Sequence, residues 1–184
     1  MRVLLWIVLV IISFDIVAEE YAPTPEEIAM CEKRVYSRPG QNSPDWSHMH
    51  HYCDGLRYYE RALRFRNDKM LFNGSISASL GNFDYVLRAT APSFNMRPEV
   101  IVMRGRTLEL AGKTFEAAQH YNEAIKLNPN FAMAYAALGN FYVSQKNGEQ
   151  AKKVYTEGLR RNPKNRYLRS RLERIGGSVD GQPK

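Results

Sequence analysis

The pattern of apolar and polar positions changes character several times along the chain. An unbroken apolar run, Val3 to Ile12, follows Arg2 and ends in Ser13-Phe14-Asp15. Glu26 to Tyr36 reads as a short helix, opened by Glu26 and Glu27, acidic residues favoured by the dipole at a helix N-terminus. Arg38 to Pro44, rich in Pro, Gly, Asn and Ser, reads as a loop, and a second helix begins near Asp45. Trp46 to Phe65 is long, aromatic-rich and helical in period. Ser79, Phe83, Val86 and Pro92 mark another helical stretch and its end, and from about Pro98 to Asn165 helical stretches follow one another in pairs. Arg166 to Ile175 reads as a last helix, stopped by Gly176-Gly177.

The paired stretches repeat. Sliding the chain by 34 residues aligns Gly105 with Gly139, Ala117 with Ala151, Tyr121 with Tyr155 and Pro129 with Pro163. The later copy holds Tyr135, Leu138, Gly139, Tyr142, Ala151, Tyr155 and Pro163; the earlier one holds Gly105, Leu108, Ala117, Tyr121, Ala124 and Pro129. This order of aromatic, Leu-Gly, Tyr, Ala, aromatic and closing Pro resembles the tetratricopeptide repeat. The copies depart from it at Ile101 and Arg104, where an aromatic and a Leu are usual, and at Gly158, where Ala is usual.

The residues make physical sense of the pattern. A glycine inside a helix costs roughly 1 kcal/mol against alanine, so Gly105 and Gly139 imply close approach of two helix backbones. Ala117 and Ala151 serve the same approach from the second helix, and the aromatics fill the space around these small residues. Pro129 and Pro163 stop one helix before the next. Upstream, Gly55 and Tyr58 are spaced like Gly139 and Tyr142, but Gly55 to Phe83 is 28 residues where Gly139 to Tyr155 is 16. A first repeat would therefore carry extra residues around Asn67 to Ser77.

The resemblance implies an all-α solenoid of helical hairpins. The expected organisation is a signal peptide at 1–18, an N-terminal helix and loop at 19–45, a degenerate expanded repeat at 46–97, repeats at 98–131 and 132–165, a capping helix at 166–176 and a disordered tail at 177–184.

Charge and cysteines refine this. The basic start, short apolar run and small Ala18 before Glu19-Glu20 fit a secretory signal peptide cleaved after Ala18. The rival is an uncleaved anchor, but Asp15 interrupts the run well before the roughly 20 residues a bilayer span needs. Export would make a Cys31–Cys53 disulfide the expectation for the two cysteines. It would close a loop of about 20 residues, worth roughly 3 kcal/mol in the chain-entropy model. The formal charge is +7, and Lys152 to Arg174 alone sets nine basic residues against two acidic ones. That segment is either a solvated face or an attraction for an acidic partner or an anionic lipid surface.

Candidate chemistry is sparse. Three of the four histidines, His48, His50 and His51, lie beside Cys53. Packing is the simpler reading of that cluster, and a metal site or a pH-sensitive contact is the sharper one. No nucleophile-elbow, phosphate-loop or zinc-protease motif is present, so the chain reads as non-catalytic with no cofactor and no nucleic-acid partner. Asn73-Gly74-Ser75 fits a glycosylation sequon, which matters only on a eukaryotic secretory route. The resemblance implies a concave face, made by the first helix of each pair, that binds another protein or peptide. The matching positions are Glu99, Val102, Arg106 and Glu109 in one repeat and Met133, Ala136, Asn140 and Val143 in the next. The carboxylate clamp of some family members looks absent, because Val102 and Ala136 stand at two of its places. Together these readings predict an exported scaffold, periplasmic in a Gram-negative bacterium and serving an envelope assembly. The alternatives are a metal-handling protein built on the histidines and a membrane-surface adaptor built on the basic C-terminal helix.

Overall fold

The computed structural model describes residues 23–38 and 41–178, and among them every regular element is helical. The expected signal segment and residues 179–184 of the expected tail lie outside the described residues. The chain divides after Gln41 into two units.

In the first unit, helix α1 (Pro25–Cys31) widens into a π-helical turn over Glu32–Tyr36. Its start is a reciprocal cap: the Glu27 N–H donates to Thr24 Oγ1 at 3.3 Å and the Thr24 N–H donates to Glu27 Oε2 at 2.9 Å. Cys31 forms a disulfide with Cys53.

The second unit opens with a 3₁₀ turn, Pro44–His48, capped by the Ser43 hydroxyl, that runs into α2 (Met49–Arg64). Helices α3 (Lys69–Ala89), α4 (Arg97–Leu110), α5 (Thr114–Leu127), α6 (Ala132–Ser144), α7 (Gly148–Arg161) and α8 (Arg166–Arg174) follow. They form the hairpins α2/α3, α4/α5 and α6/α7, closed by α8.

One packing device recurs in each hairpin. A Cβ built on Gly105 would lie 2.7 Å from the Tyr121 ring, and one on Gly139 would lie 2.2 Å from the Tyr155 ring. One on Gly55 would lie 2.5 Å from the Phe83 ring. Each glycine is therefore the floor on which an aromatic of the second helix rests. Tyr121, Tyr155 and Phe83 are fully buried as a result, and such rings carry much of the burial energy of a small core. Ala117 and Ala151, also fully buried, let the paired backbones approach. Ser79 takes this place in α3, where its hydroxyl donates to the Gly55 carbonyl at 2.9 Å and lies 3.1 Å from Thr107 Oγ1.

The additional residues between Gly55 and Phe83 lengthen the helices rather than the turn. Past its glycine, α2 runs about one helical turn further than α4 does, and α3 begins about two turns earlier than α5 relative to the aromatic. Asp68 starts α3 at that early point by accepting the N–H groups of Met70 and Leu71, both at 3.0 Å.

The α4–α5 and α6–α7 turns share a closure. The Lys113 N–H donates to the Leu108 carbonyl at 2.9 Å and the Asn147 N–H to the Tyr142 carbonyl at 2.8 Å. This six-to-one bond requires a left-handed residue just before it. Gly112 (φ 79°) supplies it in the first turn and Lys146 (φ 58°) in the second.

Arg104, which stands where the repeat usually has Leu, works as an ionic cross-tie. Its Nε lies 2.5 Å from Asp84 Oδ1 on α3, and its guanidinium also meets the His120 ring on α5.

Candidate functional site

The first helices of the three hairpins bring side chains to one cavity of about 480 Å³ in the second unit. Its walls include Tyr59 from α2, Arg66 just beyond that helix, Arg106 and Glu109 from α4, and Asn140 from α6. Tyr121 reaches it from behind α4.

The second-helix tyrosines organise this wall. The Tyr121 hydroxyl donates to Glu109 Oε2 at 2.7 Å, and the Ser144 hydroxyl donates to Glu109 Oε1 at 3.4 Å. One repeat later the Tyr155 hydroxyl donates to Asn140 Oδ1 at 2.8 Å, while Asn140 Nδ2 donates to the Tyr167 hydroxyl at 3.0 Å. The Arg171 guanidinium lies 4.8 Å from the centre of the Tyr167 ring and steadies it. The same ring that rests on the glycine thus aims its hydroxyl at a groove residue. Burial pushes the Tyr155 phenol up to about 12. Burial, reinforced by the Glu109 carboxylate that accepts its proton, pushes Tyr121 further in the same direction. Burial also raises Tyr59, against the lowering pull of Arg106. All three are therefore neutral hydrogen-bonding groups at physiological pH.

The two arginines give the cavity its character. Among the described residues neither Arg66 nor Arg106 has an ion-pair partner, and Arg106 makes only a long contact, 3.8 Å, to the Met103 sulfur. Glu109 is the carboxylate of the wall, and its oxygens already accept hydroxyl protons. The site offers two donor forks, an aromatic face and an amide, which suits an extended chain carrying acidic groups.

Of the eight positions expected on the concave face, Arg106, Glu109 and Asn140 line the cavity. Glu99, Val102 and Ala136 do not present free side chains. Glu99 is 2% exposed and accepts the Tyr52 hydroxyl at 2.8 Å. Val102 and Ala136 are buried in the hydrophobic cores of the hairpin stack. Met133 is half-buried against the core, and Val143 is exposed but does not line the cavity. Sequence reasoning missed Tyr59 and Arg66. Tyr59 follows Gly55 by the same four residues that separate Glu109 from Gly105, so carrying the repeat register one hairpin upstream would have found it. Arg66 lies in the lengthened part of the first hairpin, where no repeat position corresponds to it.

The side chains of the other candidates are engaged within the fold. His51 Nδ1 is hydrogen-bonded to Asn82 Oδ1 at 2.8 Å and its ring lies 3.9 Å from that of Tyr85. His48 Nδ1 faces the Tyr85 hydroxyl at 3.3 Å, and His50 Nδ1 bonds the Ser47 carbonyl at 2.8 Å. Cys53 is spent in the disulfide. Among the described residues no three His, Cys, Asp or Glu side chains converge as a metal site would require. In the basic segment Glu157 gathers Arg160 and Arg161 at 2.7 and 3.1 Å, and they hold its carboxyl down to about 2. Among the described residues no helix is long and apolar enough to cross a membrane.

Comparison with known proteins agrees with the repeat fold. A family model described as TPR repeat matches residues 105–146, and one described as Tetratricopeptide repeat matches residues 132–165. The human protein "Tetratricopeptide repeat protein 6" is 33% identical over 70 residues, which are 38% of this chain and 14% of that protein. The chain thus spans only a small part of the length of this relative.

Proposed function

We propose that this chain, which tetratricopeptide-repeat models match across residues 105–165, is a non-catalytic scaffold that holds a protein or peptide in the groove of its first helices. The observation that carries this is the cavity in which Arg66 and Arg106, without ion-pair partners among the described residues, face a tyrosine-ordered wall. Repeats of this kind generally mediate protein–protein interaction, and the groove's chemistry selects an extended segment with acidic side chains.

We further propose that it works outside the cytoplasm, in an oxidising compartment such as the bacterial periplasm, as part of an envelope assembly. The Cys31–Cys53 disulfide supports the compartment, because such bonds persist where thiols are not kept reduced. The basic and apolar pattern of the first residues points the same way.

The structure changes how the groove should be tested. Asn140 is bonded to two tyrosines, so its removal would leave a buried Tyr155 hydroxyl unsatisfied at a cost of about 1–3 kcal/mol. Arg66→Ala with Arg106→Ala is the cleaner variant, since among the described residues neither side chain has an ion pair and Arg106 makes only the long contact to the Met103 sulfur. Cross-linking capture from cells should recover a discrete set of proteins with the parent chain and lose it with the double variant, with the melting temperature unchanged. Capture of the same set by both would remove the groove from the account.

A further inference from the structure

A second cavity, of about 420 Å³, lies between the second helices, α5 and α7, and shares no residue with the groove. Its floor is apolar and recessed. Leu138 and Tyr135 there are each 3% exposed, with half-buried Ile125 and Val154 as walls. Its rim is basic. Lys126 and Lys153 stand exposed on opposite walls and have no ion pair among the described residues. Arg161 and Glu157 complete the rim, Glu157 being shared between Arg161 at 3.1 Å and Arg160 at 2.7 Å. The two lysines are the rim charges without an ion pair among the described residues.

We propose that this cleft is a second docking site, for an acidic protein segment that inserts one aliphatic side chain between Lys126 and Lys153. Both halves of the chemistry are needed. An apolar floor set below a charged rim is the arrangement in which a single anchor side chain is desolvated while its neighbours meet the rim. The two unpaired ammonium groups select acidic neighbours and repel basic ones. The recess also argues against a bilayer as the occupant. A membrane surface could meet the lysines, but Leu138 and Tyr135 are each only 3% exposed and offer it little apolar surface, whereas a protruding side chain fills the space. With the groove on the first helices and this cleft on the second, the two sites can be filled independently.

The test uses the full chain and a short fluorescein-labelled peptide with aspartates on both sides of a single leucine, read by anisotropy. Saturable binding is expected. Lys126→Glu with Lys153→Glu should weaken it about tenfold or more, as should replacing the peptide leucine by asparagine. The lysine reversal is read again in the Arg66→Ala, Arg106→Ala background, which removes any share of the acidic peptide held by the groove. The lysine-dependent binding should persist there, which separates this cleft from the groove. Both lysines are exposed, and circular dichroism of the reversed variant should match the parent. Three outcomes would each overturn the proposal: no binding, binding indifferent to the lysine reversal, or binding lost only in the arginine variant, which would place the acid in the groove. Lysine-dependent binding to phosphatidylglycerol vesicles but not to the peptide would overturn it in favour of a membrane surface.

Discussion

At the scale of single residues, two positions where this chain departs from its own repeat make opposite predictions. Gly158 stands where Ala is usual, and alanine is ordinarily the better helix residue by about 1 kcal/mol. Here a Cβ would lie 2.7 Å from the Tyr135 Cβ and 2.9 Å from Leu168 Cδ1. The first of these atoms is fixed by its own backbone, so α6 and α7 would have to move apart. Overpacking of this kind costs about 1–3 kcal/mol, which outweighs the propensity gain. Gly158→Ala should therefore lower the melting temperature, and a rise would mean that α6 and α7 are held less firmly against each other than their packing implies. Lys146 is the converse case. Its φ of 58° is a conformation that a Cβ makes costly, and the residue 34 positions earlier, in the same turn, is Gly112. Lys146→Gly should raise stability by roughly 0.5–1 kcal/mol, the relief of strain exceeding the extra freedom glycine gains in the unfolded chain. A urea titration of the two proteins side by side would read it, and an unchanged or lower midpoint would count against the strain.

At the scale of helices, the sequence is legible wherever a packing device repeats locally. Gly105, Ala117 and Tyr121 recur 34 residues on because each hairpin solves the same problem of bringing two backbones together. Period and spacing alone therefore announce α4 to α7. The disulfide was readable from an even cysteine count once export was inferred. The first hairpin was harder, because the extra residues around Asn67 to Ser77 have no pattern of their own. They join helices because Asp68 caps α3 early, a choice visible only in its bonds to Met70 and Leu71. The groove was half legible. Arg106, Glu109 and Asn140 follow from repeat register. The burial of Glu99 depends on Tyr52, 47 residues away, and no local pattern encodes that meeting. Arg104 is similar: its departure from Leu looks like degeneracy in the sequence and is, in the fold, an ion pair to Asp84 with a hydrogen bond to the His120 ring.

At the scale of the whole molecule, the tyrosines couple the core to the groove and give stability a predictable pH dependence. Tyr155 is fully buried and hydrogen-bonded to Asn140, with its phenol pushed up to about 12. In the unfolded chain a tyrosine titrates near pH 10. The folded state thus favours the neutral form, and the stability this contributes is fully present below about pH 10. It is lost progressively as pH rises toward about 12, because the unfolded chain releases its proton first. The gap is worth on the order of 2 kcal/mol for Tyr155, and Tyr121, raised for the same cause, adds to it in the same direction. Cooperative alkaline unfolding is therefore expected, and groove order should be lost in the same transition, since these hydroxyls position Glu109 and Asn140. Tyr155→Phe separates the contributions. It forfeits about 1 kcal/mol at neutral pH through the lost hydrogen bond, but its urea midpoint should fall less steeply than the parent's between about pH 10 and 12. Equal slopes for the two proteins would show that Tyr155 does not drive the transition, and would leave it to the other tyrosines that burial raises, Tyr121, Tyr59 and Tyr135.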